Sequence, residues 1–123
     1  MRKVCVVLSA RPSYSRIKSA LEAINNHKGL ELQLVLTASS LLDKYGEVIK
    51  NVKADNYKVS AEVFMLIEGE TLLTSAKTTG LGIIEIANVF NQLKPDIVVT
   101  IADRYETLAT AVAASYMNIP LAH

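Results

Sequence analysis

Two short stretches concentrate the groups that could do chemistry. Ser9-Ala10-Arg11-Pro12-Ser13-Tyr14-Ser15-Arg16 sets hydroxyls and guanidinium groups between an apolar run and the start of a helical pattern. Free backbone N–H groups and the helix dipole favour an anion at such a place, so the stretch suits a phosphate or diphosphate, with Arg11 and Arg16 adding charge of the right sign. The alternative is that Ser13 or Ser15 only caps the helix while the arginines stay in solvent. Asp103-Arg104 follows another apolar run. A carboxylate beside a guanidinium at a strand's carboxyl end supplies an acid/base group together with an anion clamp; it could equally be a loop ion pair with Asp103 capping the next helix. The first stretch lacks G-x-G-x-x-G and the Walker pattern, which disfavours a dinucleotide enzyme or a P-loop NTPase. A phosphoacceptor domain needs further acids after its first strand, and Ser9, Ala10 and Arg11 stand there instead.

Other polar or special residues read as structural. Glu68-Gly69-Glu70 flanks a turn, and its acids suit the first turn of a helix. Gly80 and Gly82 lie inside a helical pattern, where they would allow close helix–sheet contact. His27 sits where a helix ends, a favourable place for an imidazole. The single cysteine, Cys5, lies in an apolar run and reads as a small core residue.

The elements that must position these groups alternate in type. Lys3 to Ser9 is an apolar, β-branched run without alternation, as expected of a strand buried on both faces, and it ends at Arg11-Pro12. From Ser15 the spacing of Ile17, Ala20, Leu21 and Ile24 predicts a helix that stops in Asn25 to Gly29. Glu31 to Thr37 predicts a second strand, Ser40 to Val52 a less regular helical segment, and Glu62 to Ile67 a third strand. Thr71 to Leu93 predicts a long amphipathic helix with Ile83, Ile84, Ala87, Val89 and Phe90 on its apolar side, closed by Lys94-Pro95. Asp96 to Ile101 is a fourth strand, Tyr105 to Met117 a fourth helix, and a fifth strand starts at Ile119.

Strands alternating with helices predict right-handed crossovers and a doubly wound parallel sheet, an α/β fold of Rossmann-like kind. A long third crossover fits the order 3-2-1-4-5. Strands one and four are then neighbours where the winding reverses, and ligands bind beyond their carboxyl ends. That expectation brings Ser9 to Ser15 together with Ala102 to Glu106.

Length and composition are compatible with this. At 123 residues, half of them apolar, the chain is a single domain able to bury roughly two-thirds of its unfolded surface. One cysteine excludes a disulfide scaffold and any zinc site built on cysteines, and points to a reducing cytoplasm. No apolar stretch approaches the about 18 residues of a membrane span, and no metal site or membrane partner is expected. The net charge of +1 argues against a nucleic-acid partner. Its distribution is uneven: Arg2, Lys3, Arg11, Arg16, Lys18 and Lys28 face only Glu22 in the N-terminal unit, whereas acids prevail afterwards. A compact basic spot in a near-neutral protein suits a small anion better than a polymer. The fifth strand stops at His123 with no helix to cover it, so residues 1–123 are expected to be one incomplete domain at the front of a longer polypeptide.

Taken in order along the chain, Arg11-Pro12-Ser13-Tyr14-Ser15-Arg16, Leu41-Leu42-Asp43-Lys44-Tyr45-Gly46, Gly69-Glu70, Leu93-Lys94-Pro95-Asp96-Ile97, Asp103-Arg104-Tyr105-Glu106-Thr107-Leu108-Ala109 and Met117-Asn118-Ile119-Pro120-Leu121-Ala122-His123 resemble the UDP-N-acetylglucosamine 2-epimerases. The Asp-Arg pair is closest to the hydrolysing branch. Ala102 stands where that family usually has Gly, Ser13 replaces its usual acidic residue, and Ser40 lies where some relatives carry His.

The resemblance implies a two-domain fold of the glycosyltransferase-B type, this chain forming most of the N-terminal half. It implies that Arg11 and Ser15 contact UDP, with Arg16 in the same substrate-binding stretch, that Arg104 holds the diphosphate, that Asp103 belongs to the acid/base set, and that His123 opens a further substrate-binding stretch. The implied reaction converts UDP-N-acetylglucosamine to N-acetylmannosamine and UDP, without cofactor or metal, in an enzyme expected to be a homo-oligomer at full length. Two other readings compete. One is a UDP-sugar glycosyltransferase of the same fold; the other is a non-catalytic flavodoxin-like binding module that ends at His123 and ignores UDP.

Overall fold

A computed structural model describes residues 1–9, 11–37, 48–63, 71–101 and 105–123, and within these the side chains of all but residues 11–13, 48, 49 and 105. In chain order the elements are β1 (Arg2–Leu8), α1 (Arg11–Asn26), β2 (Leu30–Thr37), α2 (Val48–Ala54), β3 (Ala61–Val63), α3 (Leu72–Leu93), β4 (Ile97–Thr100), α4 (Tyr105–Tyr116) and β5 (Leu121–Ala122). The strands form one sheet in the order β3-β2-β1-β4-β5, and every pairing is parallel. This is the doubly wound order expected from the alternation of strands and helices.

Burial of the sheet on both faces explains the lack of alternation in β1. Val4, Val6 and Leu8 join Leu34 and Leu36 of β2 under Tyr14, Ile17 and Leu21 of α1 and Val52 of α2. Cys5 and Val7 face the other way, with Val35, Val63 and Val98, under Ile86 and Phe90 of α3 and Ala109, Ala113 and Ala114 of α4. Period-2 side chains thus feed two separate cores. The alanines of α4 let it lie against α3.

Local chemistry sets the helix ends. Thr71 caps α3: its hydroxyl accepts from the Thr74 N–H at 3.1 Å while its own N–H donates to the Thr74 hydroxyl at 2.8 Å. This is a capping box with threonine in the place usually taken by Glu or Gln. Lys94 closes α3 in the left-handed region, with its N–H on the Phe90 carbonyl. Asn118 (φ 57) follows α4 in the same conformation. His27 is structural, as expected: its Nδ1 accepts the Gly29 N–H at 2.9 Å. Burial pushes the Cys5 thiol up to about 12, fitting a core residue and not a nucleophile.

Three expectations need correction. Helix α1 starts at Arg11 and not at Ser15. Proline lacks an N–H, but the first four N–H groups of a helix have no partner within it, so Pro12 lies in the first turn of the helix and not in a loop before it. Consequently Ser13 and Ser15 are inside the helix and neither caps it. On α3 the buried line is Thr78, Gly82, Ile86 and Phe90, while Ile84 is 62% exposed. A spacing of four places Ile86, not Ile84, over the sheet. Gly82 is buried as a close contact requires, but nothing approaches within 4 Å of a Cβ built on Gly80, so no packing demands a glycine there. Strand boundaries otherwise agree to within a residue or two for β1, β2, β4 and β5.

Candidate functional site at the winding reversal

β1 lies beside β4 in the register Val7↔Thr100, and the chain leaves the two strands for opposite faces of the sheet: to α1 on one side, to α4 on the other. A crevice at the carboxyl edge follows from that divergence. The first helical residue after β1 is Arg11, two positions beyond Ser9. The N-terminus of a 16-residue helix therefore opens at the crevice, and its first turn carries no acid. No acid of the first turn offsets the positive dipole end of α1, which favours an external anion.

Arg11 and Ser15 are four positions apart in α1, hence one turn apart on the same face. Ser15 is exposed. Arg16 is exposed as well, but at about 100° per residue it stands roughly 140° around the helix from Arg11. The helix groups Arg11 with Ser15 and turns Arg16 elsewhere. Asp103 and Arg104 lie outside the described residues, as do Ala102, Leu41 to Gly46 and Glu68 to Glu70. The flanking residues are described: Ile101 follows β4, Tyr105 begins α4, and the Thr107 hydroxyl donates to the Ile101 carbonyl at 3.4 Å.

A row of hydroxyls, which no motif in the sequence announces, lies along this edge. Thr37 ends β2, is fully buried, and donates to the Leu8 carbonyl at 3.1 Å with the Ser9 hydroxyl 3.3 Å away. Thr100 ends β4 and sits 2.8 Å from Nδ1 of His123. The signal was legible in the sequence, where both Leu30–Thr37 and Ile97–Thr100 close an apolar run with threonine. Glu106, fully buried in the first turn of α4, is a second carboxylate on the element that follows Asp103. His123 follows β5 and is exposed, so this sheet edge presents an imidazole beside the β4 end.

A second polar cluster joins α1 to α2. The Tyr14 hydroxyl donates to Asp55 Oδ2, which also receives Lys18 Nζ at 3.0 Å. Lys18 lies 5.9 Å from the centre of the Tyr14 ring, within cation–π range. The Tyr14 hydrogen bond and Lys18 hold the Asp55 carboxyl below its ordinary value; burial, together with Asp55, pushes the Tyr14 phenol well above the usual tyrosine range. Asp55 follows α2 directly, so the cluster ties that helix to the first turns of α1. Among the described residues no group of three His, Cys, Asp or Glu could hold a metal ion, and no helix is long and apolar enough to cross a membrane.

Residues 22–123 match the model of the family described as UDP-N-acetylglucosamine 2-epimerase. The chain is 30% identical over 99% of its length to a GDP/UDP-N,N'-diacetylbacillosamine 2-epimerase (hydrolyzing) of Campylobacter jejuni, covering 32% of that protein. It is 28% identical over its whole length to a UDP-N,N'-diacetylbacillosamine 2-epimerase (hydrolyzing) of Legionella pneumophila, covering 33% of it. The fold matches a Methanocaldococcus jannaschii UDP-GlcNAc 2-epimerase solved in complex with UDP-GlcNAc and UDP, with a TM-score of 0.80 and 24% identity over 98% of this chain and 32% of that one. The chain thus spans about a third of the length of these relatives.

Proposed function

The chain belongs to the UDP-N-acetylglucosamine 2-epimerase family, and from that premise we propose that it supplies the N-terminal part of a hydrolysing epimerase converting UDP-N-acetylglucosamine to N-acetylmannosamine and UDP. The observation that carries this reading is the β1–β4 pairing. It sets the N-terminus of α1, with Arg11 and Ser15 on one face, at the same sheet edge as the strand that leads to Asp103 and Arg104.

In the proposed reaction a base takes the C2 proton of the sugar while the C1–O bond breaks and UDP leaves with the electron pair. A 2-acetamidoglucal-like intermediate remains. Water then adds at C1 and a proton returns to C2 from the opposite face, which inverts that centre. The departing diphosphate gains charge as the bond breaks, so cationic groups and helix N–H donors lower the barrier where they face it. Arg11, Ser15 and Arg104 take that role. Asp103 belongs to the acid/base set, which must work near neutral pH, and His123 contributes from the β5 side.

The names of the Campylobacter and Legionella relatives supply a second reading of the substrate, UDP-N,N'-diacetylbacillosamine. Supplying each UDP-sugar in turn to the full-length protein and measuring release of free UDP separates the two by kcat/KM. Release from neither would remove the epimerase reading. The same reading takes the full-length enzyme as a cytoplasmic homo-oligomer; the exposed Leu72, Leu73 and Ile84 of α3 supply apolar surface for association.

A further inference from the structure

We propose that Asp55 is a positioning residue for the anion-binding end of α1: through Tyr14 and Lys18 it fixes the turn that carries Arg11 and Ser15, and so sets the affinity for an anionic ligand that it does not touch. The link is a property of this chain. Only the identity of the ligand as UDP rests on the proposed function.

In α1, Arg11, Ser15 and Lys18 follow one another at steps of four and three, which puts them on one stripe of the helix. Tyr14 stands beside that stripe, three positions after Arg11 and four before Lys18. Its ring is 4% exposed and lies in the core with Ile17, Leu21 and Val52. Apolar burial has no direction and lets a helix turn or slide a little; a hydrogen bond has direction and resists both. The Tyr14 hydroxyl donates to Asp55 Oδ2, and Lys18 Nζ reaches the same atom at 3.0 Å. One carboxylate oxygen therefore holds two successive turns of α1.

The acceptor is itself held. The Asp55 N–H donates to the Asn51 carbonyl at 3.0 Å and the Tyr57 N–H to the Val52 carbonyl at 3.1 Å, which closes the end of α2 around Asp55, and Val52 is fully buried. Beside the cluster the helices part around a recess of about 250 Å³ lined in part by Ser15, Asn51 and Ala54. Among the described residues it is thus the polar link, more than close packing, that ties the Ser15 turn to α2. Its two halves are unequal. Lys18 is 53% exposed and Asp55 32%, so solvent screens the ion pair, whereas the Tyr14 hydroxyl comes from the core and carries the larger share.

Calorimetric titration of the full-length protein with UDP tests this. Tyr14→Phe, which removes only the hydroxyl, and Asp55→Ala should each raise Kd about fivefold or more, the lower end of ordinary coupling between separated groups, and Lys18→Met should raise it less. In an Arg11→Ala background, where a group being positioned is gone, the factor for Asp55→Ala should shrink; a general loss of stability would give the same factor in both backgrounds. An unchanged Kd in folded Tyr14→Phe and Asp55→Ala proteins overturns the proposal, and so does an equal factor with and without Arg11. Tyr14→Phe decides where Asp55→Ala does not fold. Hydrogen exchange without ligand keeps the two readings apart: at residues 15–18, whose N–H groups bond to the carbonyls of 11–14, exchange should quicken in Tyr14→Phe while β1 stays protected. If UDP does not bind the unsubstituted protein, the proposed function fails and exchange alone decides, faster exchange upholding the role of Asp55 and unchanged exchange overturning it.

Discussion

The Tyr14 hydroxyl reaches from the first turns of α1 to the carboxylate of Asp55, just beyond α2. The two residues are 41 positions apart. Lys18 shares the same carboxylate oxygen, so an acid in solution's reach is held by two donors from one helix. Tyr14 is itself buried under the sheet core, and the α1 turn that carries it begins at Arg11. Whatever loosens this link loosens the helix end proposed to hold the diphosphate.

The link should have a pH window. The folded Asp55 carboxyl is lowered, first by the Tyr14 hydrogen bond and then by Lys18, so its contribution is present above the ordinary aspartate value of about 3.9 and is lost as pH falls through the lower, folded value. The Tyr14 phenol is raised, first by burial and then by Asp55, so its contribution is present below about 10 and is lost as pH rises beyond that. Melting temperatures of the wild type and Asp55→Asn, measured across pH, should differ by a constant amount near neutrality. The difference should close below about pH 4. A gap that persists unchanged into strong acid would mean that Asp55 does not act through its charge.

The face that α3 buries gives a contrast in stability. Phe90 is 1% exposed and Ile84 62%. Phe90→Ala should cost about 3–5 kcal/mol, because it removes apolar contact and leaves a cavity. Ile84→Ala should stay within about 0.5 kcal/mol. Urea unfolding of both variants checks this, and equal losses would contradict the helix orientation.

Much of the fold was legible from the sequence, and what was not has physical causes. The unbroken apolar runs in β1 and β4 required burial on both faces, which with the alternation of strands and helical segments was enough for the strand order. The phase of α3 was not: Ile83, Ile84 and Ile86 are all apolar, and only packing selects Ile86. Pro12 carries two opposite meanings, helix breaker and first-turn residue, and local sequence does not choose between them. Tyr14, Lys18 and Asp55 meet only because β2 returns the chain beside α1, so no spacing announces the cluster. Arg11 and Ser15 could be placed on one helix face, whereas Asp103 and Arg104 rest on the sequence and on the strand that leads to them.

Cys5 should be chemically silent. Complete burial and a thiol pushed up to about 12 leave almost no thiolate at neutral pH. A thiol-specific chromogenic disulfide should react only after denaturant is added. Rapid labelling of the native protein would show that the β1 core opens readily.

For the full-length protein, Arg11→Ala should weaken UDP binding by about 1.5–3 kcal/mol, the range for loss of a charged hydrogen bond. That corresponds to roughly 10- to 150-fold in Kd. Titration calorimetry reads it directly, and Arg16→Ala, on another side of α1, should change little. An unaltered affinity in Arg11→Ala would take Arg11 out of the site.

The central claim is tested most directly by following UDP-N-acetylglucosamine with the full-length protein in D2O by proton NMR. The account predicts free N-acetylmannosamine and UDP, with deuterium at C2, since the proton removed there returns from solvent. Accumulation of UDP-N-acetylmannosamine with no free sugar, or a substrate left intact, would contradict it.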